Sequence, residues 1–174
     1  MKIFNILVLF LCIHTLSIAQ EKKEVSEISF GYGSSSEHMD IYRISVKKDL
    51  NKYFFERRYK YLPNYYETSL SYWKGHSGGS IKSVSFTPMY RYDFERYYES
   101  IPFIEAGVGV AYISDMTLEG EHFGTHFQFE NSIGFGFKFS EFDVAYRYVH
   151  YSNAGLDENN SGADFSIISI SFKF

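Results

Sequence analysis

The sequence predicts an all-β protein, an eight-stranded antiparallel transmembrane β-barrel, on three observations. Apolar residues make up 45% of the 174 residues and aromatic residues 20%, yet the mean hydropathy is only -0.23, so the apolar residues are dispersed. Beyond Gln20 no apolar stretch approaches the roughly 20 residues that a membrane helix requires. What recurs is an alternation of period two, rich in Tyr, Phe, Val and Ile and interrupted by Gly, Ser and Asn, which indicates strands.

The alternation defines eight predicted strands in chain order. They cover residues 28–33, 39–47, 65–73, 80–94, 101–114, 123–139, 142–152 and 164–174. Residues 51–64 match no element and leave the start of the third strand open. Several of these strands are longer than the five or six residues that are usual in soluble proteins, which favours strands that cross a bilayer.

The two faces of the predicted strands differ in chemistry. In the fourth strand one face carries Val84, Phe86, Pro88, Tyr90, Tyr92 and Phe94, and the other carries Ser83, Ser85, Thr87, Met89, Arg91 and Asp93. In a small water-soluble barrel these rings would have to fill the interior. A lumen lined by small and paired charged residues, with rings outside, suits a bilayer better than a secreted lipocalin-like barrel.

Aromatic residues also lie at the predicted strand ends, where a membrane barrel places its interfacial girdles. They include Tyr97, Tyr98, Tyr146, Tyr148 and Phe174. A final strand that ends on an aromatic residue is common among outer-membrane barrels. We therefore predict the outer membrane of a Gram-negative bacterium as the location.

Residues 1–19 have the composition of a cleavable secretory signal peptide, which leaves 20–174 as the barrel domain. Lys2 precedes an apolar run over residues 6–12, and Ser17-Ile18-Ala19 gives a small-residue ending. A retained membrane anchor is disfavoured because the apolar run is short. Cys12 is the one cysteine and lies in this segment, so the mature chain is expected to have no thiol or disulfide chemistry.

Other partners and cofactors find little support in the sequence. The net charge of -4 gives no reason to expect nucleic acid as a partner. His122 and His126 share one face of a predicted strand but lack a clear third ligand, so we predict no metal site. The glycines at 31, 33, 107, 109, 134 and 136 alternate on the lumen side, which close packing explains without a phosphate loop.

His150 and Ser152 are the strongest candidates for chemistry. They are two apart on the predicted seventh strand, hence on one face with a rise of roughly 6.8 Å between them, and that face is the apolar, lipid-facing one. Asp164 lies on the corresponding face of the eighth strand, at the same rim if the amino terminus is periplasmic. Serine, histidine and a carboxylate supply a nucleophile, a base and an orienting acid. The alternative is that these residues simply meet water and head groups at the rim.

The segment Arg147-Tyr-Val-His-Tyr-Ser-Asn-Ala-Gly-Leu156, followed by Asn159 or Asn160, Gly162 and Asp164, resembles the lipid A 3-O-deacylases of the PagL type. Weaker similarity runs through residues 40–43, 71–73, 86–92, 102–109 and 127–130, so the resemblance covers nearly all of the mature chain. It implies an eight-stranded outer-membrane barrel with a Ser-His-Glu triad.

Carried over by position, the resemblance implies Ser152 as nucleophile, His150 as general base and Asn153 as a neighbour that helps to shape the oxyanion site. Asp164 falls where the family usually has glutamate, which is a departure because aspartate is one methylene shorter. Asp157 and Glu158, in the preceding loop, are the alternatives for the acid.

The resemblance further implies hydrolysis of an ester-linked acyl chain of lipid A, at the 3-O position, without a cofactor. The expected partners are lipid A or lipopolysaccharide and outer-membrane lipid. Whether the protein forms a homodimer is left undecided by the sequence. Lys74 or Arg147 is a candidate for contact with lipid phosphates. Strand parity, however, predicts that Arg147 points into the lumen, where it would pair with Glu105, Glu130 or Asp143. The rival function is a non-enzymatic structural or adhesin-like barrel, which the short predicted loops disfavour.

Overall fold

A computed structural model describes residues 26–49 and 65–174. In this part of the chain, eight antiparallel strands form a closed barrel and two short strands form a separate hairpin. The bounds are β1 Ser26–Ser35, β2 Met39–Asp49, β3 Tyr65–Gly75, β4 Ser80–Asp93, β5 Ile101–Ile113, β6 Thr117–Leu118, β7 Glu121–His122, β8 Phe127–Lys138, β9 Phe142–Ser152 and β10 Ala163–Lys173. The predicted all-β, eight-stranded barrel is confirmed. The proposed signal peptide, 1–19, and the unassigned region 51–64 lie outside the described residues.

Strand pairing follows the chain, and the barrel closes by antiparallel pairing of β1 with β10, from Glu27 opposite Lys173 to Ser35 opposite Phe165. The β6–β7 hairpin lies in the connection between β5 and β8. No helix among the described residues is long and apolar enough to span a membrane. We call the end formed by the connections 36–38, 76–79, 114–126 and 153–162 the loop end.

The predicted sixth strand, 123–139, starts too early. Residues 123–126 belong to the connection, where the Phe123 amide donates to the Met116 carbonyl at 2.9 Å, and the paired strand begins only at Phe127. The alternation in the sequence continues through this stretch. The register with β5 begins at Phe127, opposite Tyr112, after a single hydrogen bond from the Ile113 amide to the His126 carbonyl.

The alternation of side chains across the sheet agrees with a membrane barrel. Leu70 is 65% exposed on the outer surface whereas its neighbour Ser69 is 1% exposed and faces the lumen. The same contrast holds along β5 and β8, where Val108 is largely exposed between two inward-facing glycines and Ile133 is largely exposed next to the inward-facing Gly134. Apolar side chains therefore cover the outside of the barrel, as lipid contact requires.

The lumen at the loop end is apolar, which differs from the expected lining of small and charged residues throughout. Trp73 packs against Tyr151 at 4.7 Å, Phe165 at 5.0 Å and Phe123 at 5.8 Å between ring centroids. Leu118 of the hairpin is buried in the same cluster. The expectation of rings outside and polar groups inside is wrong here because the loop-end connections cover this part of the lumen and exclude water from it.

Between the apolar cluster and the end of the barrel opposite the loop end, the lumen holds paired charges. Arg147 binds Glu67 at 2.8 Å and Glu105 at 2.6 Å, and Arg43 binds Glu130 at 2.8 Å. The expected pair of Arg147 with Glu105 is thus present. The other two expected acids bind elsewhere: Glu130 binds Arg43, and Asp143 binds Arg91 at 2.8 Å and Lys173 at 3.1 Å. Pairing of this kind is what makes buried charge tolerable.

Glu67→Gln tests whether this network holds the barrel together. Glu67 binds both Arg43 and Arg147, so the substitution leaves two buried cations short of a partner. We expect the free energy of unfolding to fall by about 3–5 kcal/mol. Urea unfolding, followed by fluorescence of Trp73, the single tryptophan, measures it. Glu99→Gln, at an exposed turn, is the control, and an equal effect of the two substitutions would contradict a structural role for the network.

Candidate active site

The outer face of β9 carries the two candidate residues as the strand parity predicts. His150 and Ser152 lie half-buried on this face, in line with Tyr146 and Tyr148, while Tyr151 between them is buried in the lumen. Both candidates lie near the loop-end terminus of the strand. The site therefore opens toward lipid at the rim of the barrel.

His150 and Asp164 are direct cross-strand partners on β9 and β10. The His150 Nδ1 donates to the Asp164 Oδ1 at 2.7 Å, with the side chains 39% and 34% exposed. This hydrogen bond fixes the ring orientation and leaves Nε2 as the nitrogen that can accept a proton. The shorter aspartate therefore reaches the histidine, even though the family usually has glutamate there.

Ser152 lies two residues beyond His150 and is paired with Phe129 of β8. Among the described residues its hydroxyl has no hydrogen-bond partner, so it is available to a bound molecule. A serine and its base commonly reach hydrogen-bond distance only when substrate is bound. The structure thus brings all three predicted residues to one lipid-facing patch.

The alternative acids do not contact His150. The Asp157 carboxylate accepts a hydrogen bond from the Asn159 backbone amide at 2.9 Å, and Glu158 is exposed to solvent. Both residues lie in the β9–β10 connection, where the Asp157 carboxylate binds a neighbouring amide and the Glu158 carboxylate meets water. Asp164 is therefore the acid that the geometry favours.

Asn153 organises the β9–β10 connection. Its fully buried amide group donates to the carbonyls of Phe123 at 3.0 Å and Asn159 at 2.8 Å, and its Oδ1 accepts from the Gly155 amide at 2.8 Å. Both amide hydrogens are therefore used within the protein. The contribution of Asn153 is to shape the connection next to Ser152.

Gly162 lies against the ring of His150, a contact that no sequence pattern revealed. Its φ is +73°, and a Cβ atom there would lie 3.2 Å from His150 Cε1 and 2.9 Å from the Tyr151 carbonyl oxygen. Glycine accepts this conformation and leaves room for the ring. The absence of a side chain at residue 162 therefore leaves the space that the His150 imidazole occupies.

A groove on the outer surface starts beside His150. Its first part, of about 370 Å³, is lined by His150 and Asn131, and it shares Tyr90, Ala106, Ile133 and Tyr148 with a larger part of about 760 Å³. We call both parts together the β5–β8 groove. Ala106 is small between the outward residues Ile104 and Val108, and this makes the depression. The groove is formed by residues of several neighbouring strands, so its prediction requires the strand order and not only the alternation along one strand.

Residues 40–173 match the family model described as Lipid A 3-O-deacylase (PagL). The chain belongs to the PagL family. Its relatives include the lipid A deacylase PagL of Pseudomonas aeruginosa, 34% identical over 85% of this chain and 86% of that protein, and that of Bordetella bronchiseptica, 34% identical over 62% and 61%.

A solved structure, that of the outer membrane enzyme PagL, matches with a TM-score of 0.73 at 29% identity, covering 84% of this chain and 98% of the other. Family membership, the closed barrel and this match agree on an outer-membrane location. The predicted resemblance, fold and location are confirmed.

In this PagL-family barrel, neither candidate cation lies beside the histidine. Lys74 is exposed on β3, which is four strands away from β9 around the barrel in either direction. Arg147 is buried in the lumen and bound to two glutamates. Strand parity had predicted the direction of Arg147, whereas the position of Lys74 follows only from the strand order.

Of the two histidines considered as metal ligands, His126 makes other side-chain contacts. His126 Nδ1 lies 2.8 Å from the Ile113 carbonyl oxygen, and its ring stacks on Tyr112. Across residues 26–49 and 65–174, no three His, Cys, Asp or Glu side chains form a group that could hold a metal ion. A cofactor-free reaction stays our prediction.

Gly162→Ala tests the contact with the His150 ring. We expect kcat to fall about 10- to 100-fold, because the new methyl group displaces the imidazole. Gly120→Ala is the matched control, since its φ of +84° is similar but no atom lies within 4 Å of the new Cβ. The measurement is the rate of lipid A deacylation by each variant. Equal rates for Gly162→Ala and Gly120→Ala would show that the space at Gly162 is not needed to position His150.

Proposed function

We propose that this protein hydrolyses an ester-linked acyl chain of lipid A, at the 3-O position, with Ser152, His150 and Asp164 as its catalytic triad. The observation that carries the proposal is the 2.7 Å hydrogen bond between His150 and Asp164, next to Ser152 on the lipid-facing side of the barrel. Polar and ionisable groups on this side are costly to maintain without a function. The 3-O position rests on the family description.

The three residues have distinct roles. Ser152 Oγ attacks the ester carbonyl carbon while His150 Nε2 takes the hydroxyl proton. The tetrahedral intermediate collapses, the bond to the sugar oxygen breaks, and His150 returns the proton to that oxygen. Asp164 holds the ring and stabilises the imidazolium. The products of this half-reaction are a sugar with a free hydroxyl and an acyl group on Ser152.

Water completes the reaction. His150 takes a proton from a water molecule that attacks the acyl-serine carbonyl, and the fatty acid leaves as Ser152 regains its proton. The position at the barrel rim suits both steps, since lipid arrives from the membrane and water from the aqueous side. The loop end would accordingly lie in the outer leaflet.

The β5–β8 groove is the place for the acyl chain. It leads away from His150 along the outer surface of the barrel. Its lining is mainly apolar and includes the small side chain of Ala106. A chain lying there buries apolar surface on the barrel. Its ester end then lies near Ser152.

Ser152→Ala tests the proposed nucleophile. Expressed in an outer membrane, the wild type should remove one acyl chain from lipid A, and the variant should lose at least about 10³-fold in rate. Mass spectrometry of the extracted lipid A measures it. Ser80→Ala, an exposed serine near the loop end on β4, is the control. The proposal fails if wild type and Ser152→Ala leave the same acyl complement.

Asp164→Ala tests the acid and should lower kcat by about 10⁴-fold, since the histidine loses its orientation and counter-charge. Asp164→Glu should retain a substantial part of the activity because a carboxylate stays in place. Asp157→Ala and Glu158→Ala should be close to wild type. A large loss in either loop variant, with an active Asp164→Ala, would transfer the role to the loop.

A further inference from the structure

Asn131 is a polar residue on the lipid-facing side that the triad does not use. It lies half-buried on β8, directly opposite His150 on β9. Asp164 is opposite the same histidine on the other side, and Val108 of β5 is opposite Asn131. His150 is therefore flanked by a carboxylate on one side and an amide on the other.

The Asn131 amide has no hydrogen-bond partner among the described residues. Two nearby pairs of polar groups on this face are hydrogen-bonded: Tyr146 and Ser166 share a hydrogen bond of 2.9 Å, and Asp164 binds His150. An amide that faces hydrocarbon without a partner costs free energy. A partner from the bound lipid would remove that cost.

The surroundings of Asn131 indicate where this partner lies. Asn131 and His150 line the same part of the β5–β8 groove, among apolar neighbours such as Ile133 and Val108. Asn131 is diagonal to Ser152 across β8 and β9, a relation that places the two residues about 7–8 Å apart. A group that binds Asn131 is thus a few carbons from the carbonyl that Ser152 attacks.

We propose that Asn131 selects acyl chains that carry a hydroxyl group close to the ester. The amide oxygen accepts one hydrogen bond from this hydroxyl group. The proposal rests on the proposed function, because it assumes that the chain cut at Ser152 lies in the groove. Asn131 would be a specificity-determining residue, which the triad itself does not provide.

Two synthetic esters of the same amino sugar provide the test. Their acyl chains have equal length and differ only by a hydroxyl group on the third carbon. One hydrogen bond corresponds to about a tenfold preference in kcat/KM for the hydroxylated ester in the wild type. Asn131→Leu, similar in size but without hydrogen-bonding groups, should reduce this ratio to about one, mainly through the hydroxylated ester.

Two further variants exclude a merely structural effect. Asn131→Thr, which offers a hydroxyl group, should recover part of the preference. Ile133→Leu, which changes the groove without changing its polarity, should keep the wild-type ratio whatever its overall rate.

The inference is overturned if Asn131→Leu keeps the wild-type ratio, or if the wild type does not discriminate between the esters. A wild type that cleaves neither ester by a Ser152-dependent reaction contradicts the proposed function itself, and with it the inference. The two failures are distinguishable, because only the second abolishes hydrolysis of both esters.

Discussion

The alternation of side chains along β9 is the constraint on which the site depends. Tyr151 points into the lumen between His150 and Ser152, which point toward lipid. Its hydroxyl donates to Glu130 at 2.7 Å and accepts from Arg43 at 2.8 Å, and its ring packs on Trp73. The packed lumen therefore fixes the backbone that carries the lipid-facing residues. A shift of register by one residue would turn all of these side chains to the opposite face.

The same arrangement holds the acid in place. Phe165 follows Asp164 on β10, points inward and packs on Trp73 as Tyr151 does. Two neighbouring strands are thus held against one indole ring, and their outward residues His150 and Asp164 become direct partners. Directly opposed residues have Cβ atoms only about 4.5–5.5 Å apart. An aspartate reaches across this distance, so the loss of one methylene is compatible with the triad.

Strand parity was enough to predict the directions of the candidate residues. The outward set of β9 and the outward set of β10 can be read from the alternation alone, and so can the inward direction of Arg147. Partners across the lumen were harder to predict. Glu67 lies on β3, on the opposite side of the barrel from β9, and only the closed three-dimensional arrangement brings it to Arg147.

The remaining features depend on register and on the connections. The place of Asn131 beside His150 requires the pairing of β8 with β9, and the groove requires Ala106 of β5 next to Ile133 of β8. The apolar cluster combines inward-facing strand residues such as Trp73 with Leu118 and Phe123 from a connection, where alternation gives no information about burial. The start of β8 was placed too early for the same reason.

Covalent labelling tests most directly whether Ser152 is an activated nucleophile on the lipid-facing surface. The folded barrel would be treated with a fluorophosphonate that carries a long alkyl chain, digested, and its peptides analysed by mass spectrometry. We expect the label on Ser152, at a rate that falls sharply in His150→Ala and Asp164→Ala. An active wild-type protein that is labelled on another serine, or that stays unlabelled at Ser152, would contradict the triad.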